Sequence, residues 1–206
     1  MEIWALSISS TDGFTHLLAW KEERFPLRLF GPAAAILALA GSVGSPFAAS
    51  STMHRAVLAL VALLGSRLWD DLMDRRLDAV NHPQRILPRV DPKPFAWVAV
   101  LSLAIAFFLS LALSLASALL FAFLCAGLSA FYRWRPSVAV LLLKYPLLVL
   151  VLRARLDLTG ACAMAVVYGA MLLDERAAGR AHAGTLRVLV MGFSVMLLLS
   201  LGWATT

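Results

Sequence analysis

The chain has 206 residues, 61% of them hydrophobic, with a mean hydropathy of +0.84. A soluble domain is about 45–50% apolar, and a small globule has too much surface to hide such an excess in its core, so an integral membrane protein is expected. The net charge of +6 could suggest a nucleic-acid partner, but the arginines gather at the ends of apolar runs, which reads as membrane orientation and argues against nucleic acid.

Residues 1–28 are mixed and amphipathic, ending in Trp20-Lys21-Glu22-Glu23-Arg24-Phe25-Pro26-Leu27-Arg28. This segment is expected to lie along the membrane interface, with Trp4 and Trp20 as headgroup anchors. No cleavable signal is expected, since the first strong apolar run starts near Pro32 without an early basic region. Residues 29–206 read as one transmembrane helical domain. Its apolar runs cover about 29–49, 53–69, 95–113, 114–132, 137–152, 158–173 and 188–203. Several fall short of the roughly 20 residues of a full crossing, so flanking residues must extend them. Pro83, Pro88, Pro92 and Pro94 predict an irregular polar loop over 79–94. Cys125 and Cys162 sit inside apolar runs and read as small hydrophobes, with no disulfide scaffold or Cys/His zinc site.

The expected fold class is therefore all-α, a polytopic membrane bundle of about seven helices. With the N-terminus cytoplasmic, Lys21, Arg24, Arg28, the arginines of 67–93 with Lys93, and Arg133, Arg135, Arg176, Arg180 and Arg187 fall on one side. Only Arg55, Arg153 and Arg155 fall on the other. That asymmetry places the segment after the second run on the cytoplasmic side.

This segment, from Arg67 to Arg89, packs four carboxylates and five arginines into a chain that is otherwise mostly apolar. Asp71, Asp74 and Asp78 are three and four residues apart, so a helix stacks them on one face, with Asp70 at its edge. Like charges so placed repel unless a cation intervenes, and carboxylate oxygens suit magnesium, which typically shares itself with phosphate. Arg75, Arg76, Arg85 and Arg89 offer guanidinium forks that match phosphate. Charge runs between membrane helices are ordinarily solvated loops. Ordinary loops, however, neither align acids on one helical face nor begin inside the last turn of a span, as Arg67 and Asp70 do. The combination describes a site for a lipid diphosphate.

The run Asp70-Asp71-x-x-Asp74-x-x-x-Asp78-Ala-x-Asn81-x-Pro83-x-Arg85-x-x-Pro88 resembles the first aspartate-rich motif of the UbiA-type intramembrane prenyltransferases. That motif is Asn-Asp-x-x-Asp-x-x-x-Asp followed by Asn, Pro, Arg and Pro, at the end of the second membrane helix. Glu23-Arg24-Phe25-Pro26-Leu27 is also similar to what some members carry. The resemblance implies that Asp71, Asp74 and Asp78 bind Mg2+ and a prenyl diphosphate, and that Arg85 and Arg75 support the phosphates. It implies ionisation of an allylic diphosphate and capture of the carbocation by an aromatic or other electron-rich hydrophobic acceptor. A terpene cyclase would begin with the same ionisation. Arg67, Asp70 and Asn81 join the diphosphate-binding set, and Tyr132 and Arg135 sit roughly where the family has a tyrosine and a basic residue. Lys144, in the fifth run, is expected either to bind phosphate or to pair with Asp157 or Asp174.

The departures are specific. The family's leading Asn is Asp70 here. Of the second aspartate-rich motif only Asp174 remains, with Glu175 beside it, so a metal held there has fewer ligands. Seven helices are expected where the family usually has nine, which reads as a short or truncated member whose cavity wall is missing or supplied by a homo-oligomer or helper subunit. A catalytically degenerate protein that binds a lipid diphosphate or a partner protein is the second expectation. A CDP-alcohol phosphotransferase would need an Asp-Gly-x-x-Ala-Arg opening, which Asp70-Asp71-Leu72-Met73-Asp74-Arg75 does not supply.

Overall fold

The computed structural model describes residues 10–45, 48–134 and 141–177, together with positions 190, 194, 197 and 198; the side chains of 10–12, 131, 133–134 and 174–177 are excepted. Among the described residues every regular element is helical, and there is no strand. In chain order these are α1 (Ser10–Arg24), α2 (Leu27–Ser42), α3 (Ala49–Met73), α4 (Arg75–Asn81), a 3-10 turn (Leu87–Arg89), α5 (Lys93–Leu113), α6 (Leu115–Trp134), α7 (Lys144–Arg153) and α8 (Leu158–Ala177).

The entry to α2 positions the rest of the site. Pro26 is the N-cap, and Phe25 and Phe30 stack across it with ring centroids 4.0 Å apart. Those are the N′ and N4 positions of a hydrophobic staple, which sets the angle at which the chain enters a helix. Pro26 cannot continue α1, so the two helices meet at a 67° bend. Trp20 thereby turns inward: it is only 2% exposed and meets Phe95 of α5 edge-on at 6.5 Å. The expected headgroup anchor is thus a core residue. The reason is the staple, which folds α1 back against the bundle.

α3 runs through the middle, packed on α2 and α5, while α7 packs on α2, α6 and α8. Leu37, Leu58, Leu68, Phe95, Val149 and Leu152 fill the space between them and are fully buried. Small residues permit the closest approaches, as is common where helices pack in lipid. A Cβ added at Gly65 of α3 would lie 2.9 Å from Leu103 Cγ and 3.1 Å from the Leu103 backbone nitrogen. Because backbone cannot step aside as a side-chain tip can, Gly65→Ala is expected to cost about 1–3 kcal/mol. An unchanged thermal midpoint in detergent would show that α3 and α5 have room to spare.

The α5–α6 boundary lies at Ser114. Its backbone is extended, and its hydroxyl accepts a hydrogen bond from the N–H of Ser117 at 3.0 Å, so it caps the next helix. α7 ends on Ala154 in the left-handed region at φ 59°. Asp157 then caps α8 through the N–H of Gly160 at 2.6 Å and accepts from Arg153 Nη2 on both carboxylate oxygens at 2.8 Å. The Gly160 N–H, and after it Arg153, hold the Asp157 carboxyl below its ordinary value. Between 79 and 94 the chain is less irregular than expected, since the end of α4, the 3-10 turn and the start of α5 take up half of it.

α5 is long and apolar enough to cross a membrane. α1 and α2 pass the same test only as a bent pair, and the apolar parts of α6 and α8 are shorter. Trp97, Leu101, Ile105 and Phe108 form an outward apolar stripe on α5, continued by Leu115, Leu119 and Phe123 on α6. The expected run at 188–203 lies outside the described residues, apart from the isolated helical positions within it.

Candidate functional site: a closed acidic centre beside an apolar slot

The acidic segment spans the junction of two helices. α3 stops at Met73, Asp74 sits at φ −85°, ψ 0°, and α4 begins at Arg75. The hydrogen-bond ladder nevertheless continues, with Asp74 N–H on the Asp70 carbonyl at 3.0 Å and Asp78 N–H on the Asp74 carbonyl at 2.8 Å. The helical face therefore survives the break. Asp70, Asp71 and Asp78 are 7%, 4% and 7% exposed, and Asp74 is half-buried. Buried carboxylates must be hydrogen-bonded or paired, or they would not stay ionised.

Asp71 is the most heavily engaged. Trp20 Nε1 donates to its Oδ2 at 2.9 Å, and Arg24 donates to both oxygens, from Nε to Oδ2 at 3.1 Å and from Nη2 to Oδ1 at 2.8 Å. Arg67 Nη2 stands 3.6 Å from the same Oδ1, one helical turn back on α3. Asp70 faces the other way, accepting from the Tyr132 hydroxyl of α6 on Oδ1 and from Lys144 Nζ of α7 on Oδ2. Asp78 accepts from Arg85 Nη1. Asp70, Asp71 and Asp78 thus each have a protein cation against them.

The remaining expected site residues fall as follows. Arg75 donates to the Leu87 carbonyl at 3.1 Å and the Val90 carbonyl at 2.8 Å, so it pins the 3-10 turn. Asn81 is exposed at the last position of α4. Asp174 lies on α8, but its side chain is outside the described residues, and Arg135 lies outside them entirely. Lys144 pairs with Asp70, a partner the sequence did not suggest. From the sequence Arg24 counts only among the basic residues of the cytoplasmic side, and Trp20 reads as a headgroup anchor. The similarity of Glu23-Arg24-Phe25-Pro26-Leu27 to family members was the one signal that could have found Arg24.

A cavity of about 360 Å³ opens beside this centre. Glu23, Arg24, Arg67 and Tyr145 line its polar part, and Leu29, Phe30, Ala33, Ile36, Ala170 and Met171 its apolar walls. Its size falls in the range of small-molecule sites. Among the described residues Arg67 Nε is buried with no hydrogen-bond partner.

Magnesium wants near-octahedral oxygens at about 2.0–2.1 Å. The hard carboxylate oxygens suit it, but their arrangement does not: both oxygens of Asp70 and of Asp71 already accept from protein donors. Among the described residues no three acidic, His or Cys side chains converge as ligands. As it stands the centre is closed to a metal.

No family model, curated protein or solved structure matches this chain.

Proposed function

We propose that the protein is a multi-pass integral membrane protein of the UbiA type that binds a prenyl diphosphate and transfers its prenyl group to a hydrophobic acceptor. The observation that carries this reading is the slot itself. Arg24 and Arg67, which meet at the buried Asp71, line it together with Glu23 and with the apolar Leu29, Phe30, Ala33, Ile36 and Met171. An amphiphile with an anionic head and an isoprenoid tail matches both parts. The outward apolar stripes on α5 and α6 favour a lipid surround, and the basic asymmetry favours a cytoplasmic acidic end.

In this reading Arg24 and Arg67 hold the diphosphate and stabilise the charge that grows on it as the allylic C–O bond breaks. The electron pair leaves with the diphosphate. The acceptor forms the new bond to the allylic carbon and releases a proton, while the apolar walls keep water from the cation. Tyr145 lines the same slot and limits how the acceptor approaches.

The test is transfer of label from farnesyl or geranylgeranyl diphosphate to a panel of phenolic acceptors in lipid nanodiscs. Wild type is expected to form product. Arg67→Gln is expected to lose about tenfold or more, since it removes a charge-assisted donor to the leaving group. Equal rates in Arg67→Gln would remove that residue from the reaction.

The pairing of every buried acid with a protein cation favours a second reading, a non-catalytic binder of lipid diphosphates. Its signature is saturable binding of the labelled diphosphate without product across the acceptor panel.

A further inference from the structure

Arg55, Arg153 and Arg155 are the basic residues that the sequence puts on the side of the membrane where such residues are disfavoured. The structure brings all three to one place. Gly41 lets α7 come close to α2, since a Cβ added there would lie 2.5 Å from Leu152 Cβ. Gly44, at φ 70°, then turns the chain out of α2. Arg55 donates from Nε to the Leu152 carbonyl at 3.1 Å, and from Nη1 to the hydroxyls of Ser51 and Ser42 at 3.2 and 3.4 Å. Arg153 donates to the Val43 carbonyl, and Arg155 Nη2 to the Gly44 carbonyl at 3.2 Å. Arg55 and Asp71 stand far apart on α3, about 24 Å at 1.5 Å per residue, so this cluster and the acidic centre occupy opposite ends of the helix.

We infer that this cluster binds the phosphate of an anionic phospholipid, held by Arg55 and Arg155 around the buried Arg153–Asp157 pair. The inference rests on the membrane reading above and not on the chemistry of the slot.

The charges do not balance from within the cluster. Among the described residues Asp157 is the one carboxylate that pairs with these arginines, and it is taken by Arg153 at 2.8 Å and by Arg155 at 3.1 Å. Arg55 is answered by a carbonyl and two hydroxyls, while Arg153 stands close enough to repel it. Neutral acceptors satisfy hydrogen bonds without cancelling charge, and a guanidinium near hydrocarbon calls for an anion.

The three arginines differ in what they can offer. The Arg153 side chain is 2% exposed and its Nε lies against Gly160, where an added Cβ would come within 2.9 Å, so it ties the helices together. Arg155 is exposed, and Arg55 Nη2 enters none of the bonds above. Those two have donors to spare, and their planar forks match phosphate oxygens. Met53, Leu156 and Leu158, close to these residues in the chain, are exposed large apolar side chains. Apolar surface beside cations suits a lipid, whose acyl chains cover the one while its phosphate meets the other. A soluble phosphate would leave the apolar side chains bare. A glycerol headgroup leaves the phosphate charge uncompensated, whereas a choline head carries its own cation, so the cluster favours phosphatidylglycerol over phosphatidylcholine.

The test is native mass spectrometry of the full chain, stripped of lipid in micelles of a neutral detergent. It is titrated with phosphatidylglycerol, phosphatidylcholine or inorganic phosphate. Wild type is expected to take up its first phosphatidylglycerol about tenfold more tightly than phosphatidylcholine, and excess phosphate is expected not to displace it. Arg55→Gln and Arg155→Gln are each expected to weaken that first step by about fivefold, the effect of one arginine at a lipid surface. Arg155→Gln gives up one backbone hydrogen bond on an exposed side chain, so it keeps the test open where Arg55→Gln fails to fold. Arg28→Gln, which removes an exposed charge at the other end of α2, is expected to leave the first step unchanged.

Displacement by inorganic phosphate overturns the lipid in favour of a soluble anion. Equal uptake of the two lipids overturns the site and leaves the arginines as a clasp between α2, α3 and α7. Uptake that Arg155→Gln leaves unchanged, or that Arg28→Gln weakens as much, overturns it in the same way. A chain that stays monodisperse in buffer without detergent overturns the membrane reading, and the lipid site with it.

Discussion

Asp71→Ala is expected to be the most damaging single substitution in the chain, costing about 3–5 kcal/mol and ending prenyl-diphosphate turnover. The carboxylate is 4% exposed and answers Trp20, Arg24 and Arg67 together. Removing it leaves two guanidinium groups without the carboxylate they share, and an indole N–H without an acceptor. Breaking a buried pair by deleting one partner is far costlier than replacing both, because the uncompensated charge stays behind. Unfolding in mixed detergent micelles would measure the loss. Asp71→Asn keeps an acceptor for Trp20 and removes only the charge, so it should be milder in stability while still inactive. Asp74→Asn should be inactive as well, with labelled prenyl diphosphate as the readout. Undiminished turnover in both Asn variants would remove the acidic motif from the chemistry.

The second large effect is expected at Lys144. Its amine donates to Asp70 Oδ2, and the two side chains are 12% and 9% exposed. Lys144→Met should cost about 3–5 kcal/mol, since among the described residues Asp70 then keeps the Tyr132 hydroxyl alone as partner. Asp70→Asn alone should also destabilise, by stranding the ammonium. The double variant, Asp70→Asn with Lys144→Met, should recover most of the loss, because no charge is then left buried. A double-mutant cycle reads this as a coupling energy, and simple additivity of the two losses would mean the pair contributes little. The cycle also bears on the one difference at the head of the motif that this run resembles, where Asn stands in place of Asp70. The extra negative charge here comes with its own buried cation, so it need not add to any demand for metal.

How much could be read without the fold differs from residue to residue. The continuous apolar runs announced α5 and α6 to within two residues, because burial in lipid or in a helical core demands the same unbroken hydrophobicity. The shared face of Asp71, Asp74 and Asp78 was also legible, since helical periodicity is a local property and the ladder continues through Asp74 despite the break. The pairings were not. Lys144 and Asp70 are 74 positions apart, and Arg24 and Asp71 are 47 apart. Nothing local distinguishes the acid a given cation will meet from any other. Trp20 shows the limit most clearly: its place beside other polar residues before a membrane run fits an interfacial anchor. Only the bend set by Phe25, Pro26 and Phe30 turns it into the core.

The sequence by itself determined the helical class of the described residues, the extents of α5 and α6 and one helical face rich in carboxylates. These follow from composition and from spacing along the chain, which act within a few turns. The tertiary structure alone decided which charges neutralise one another, and it brought Arg24 and Arg67 together at an apolar slot. That choice depends on how α1, α3, α6 and α7 cross. A buried charge selects its partner by distance in space, where desolvation makes every unpaired group costly.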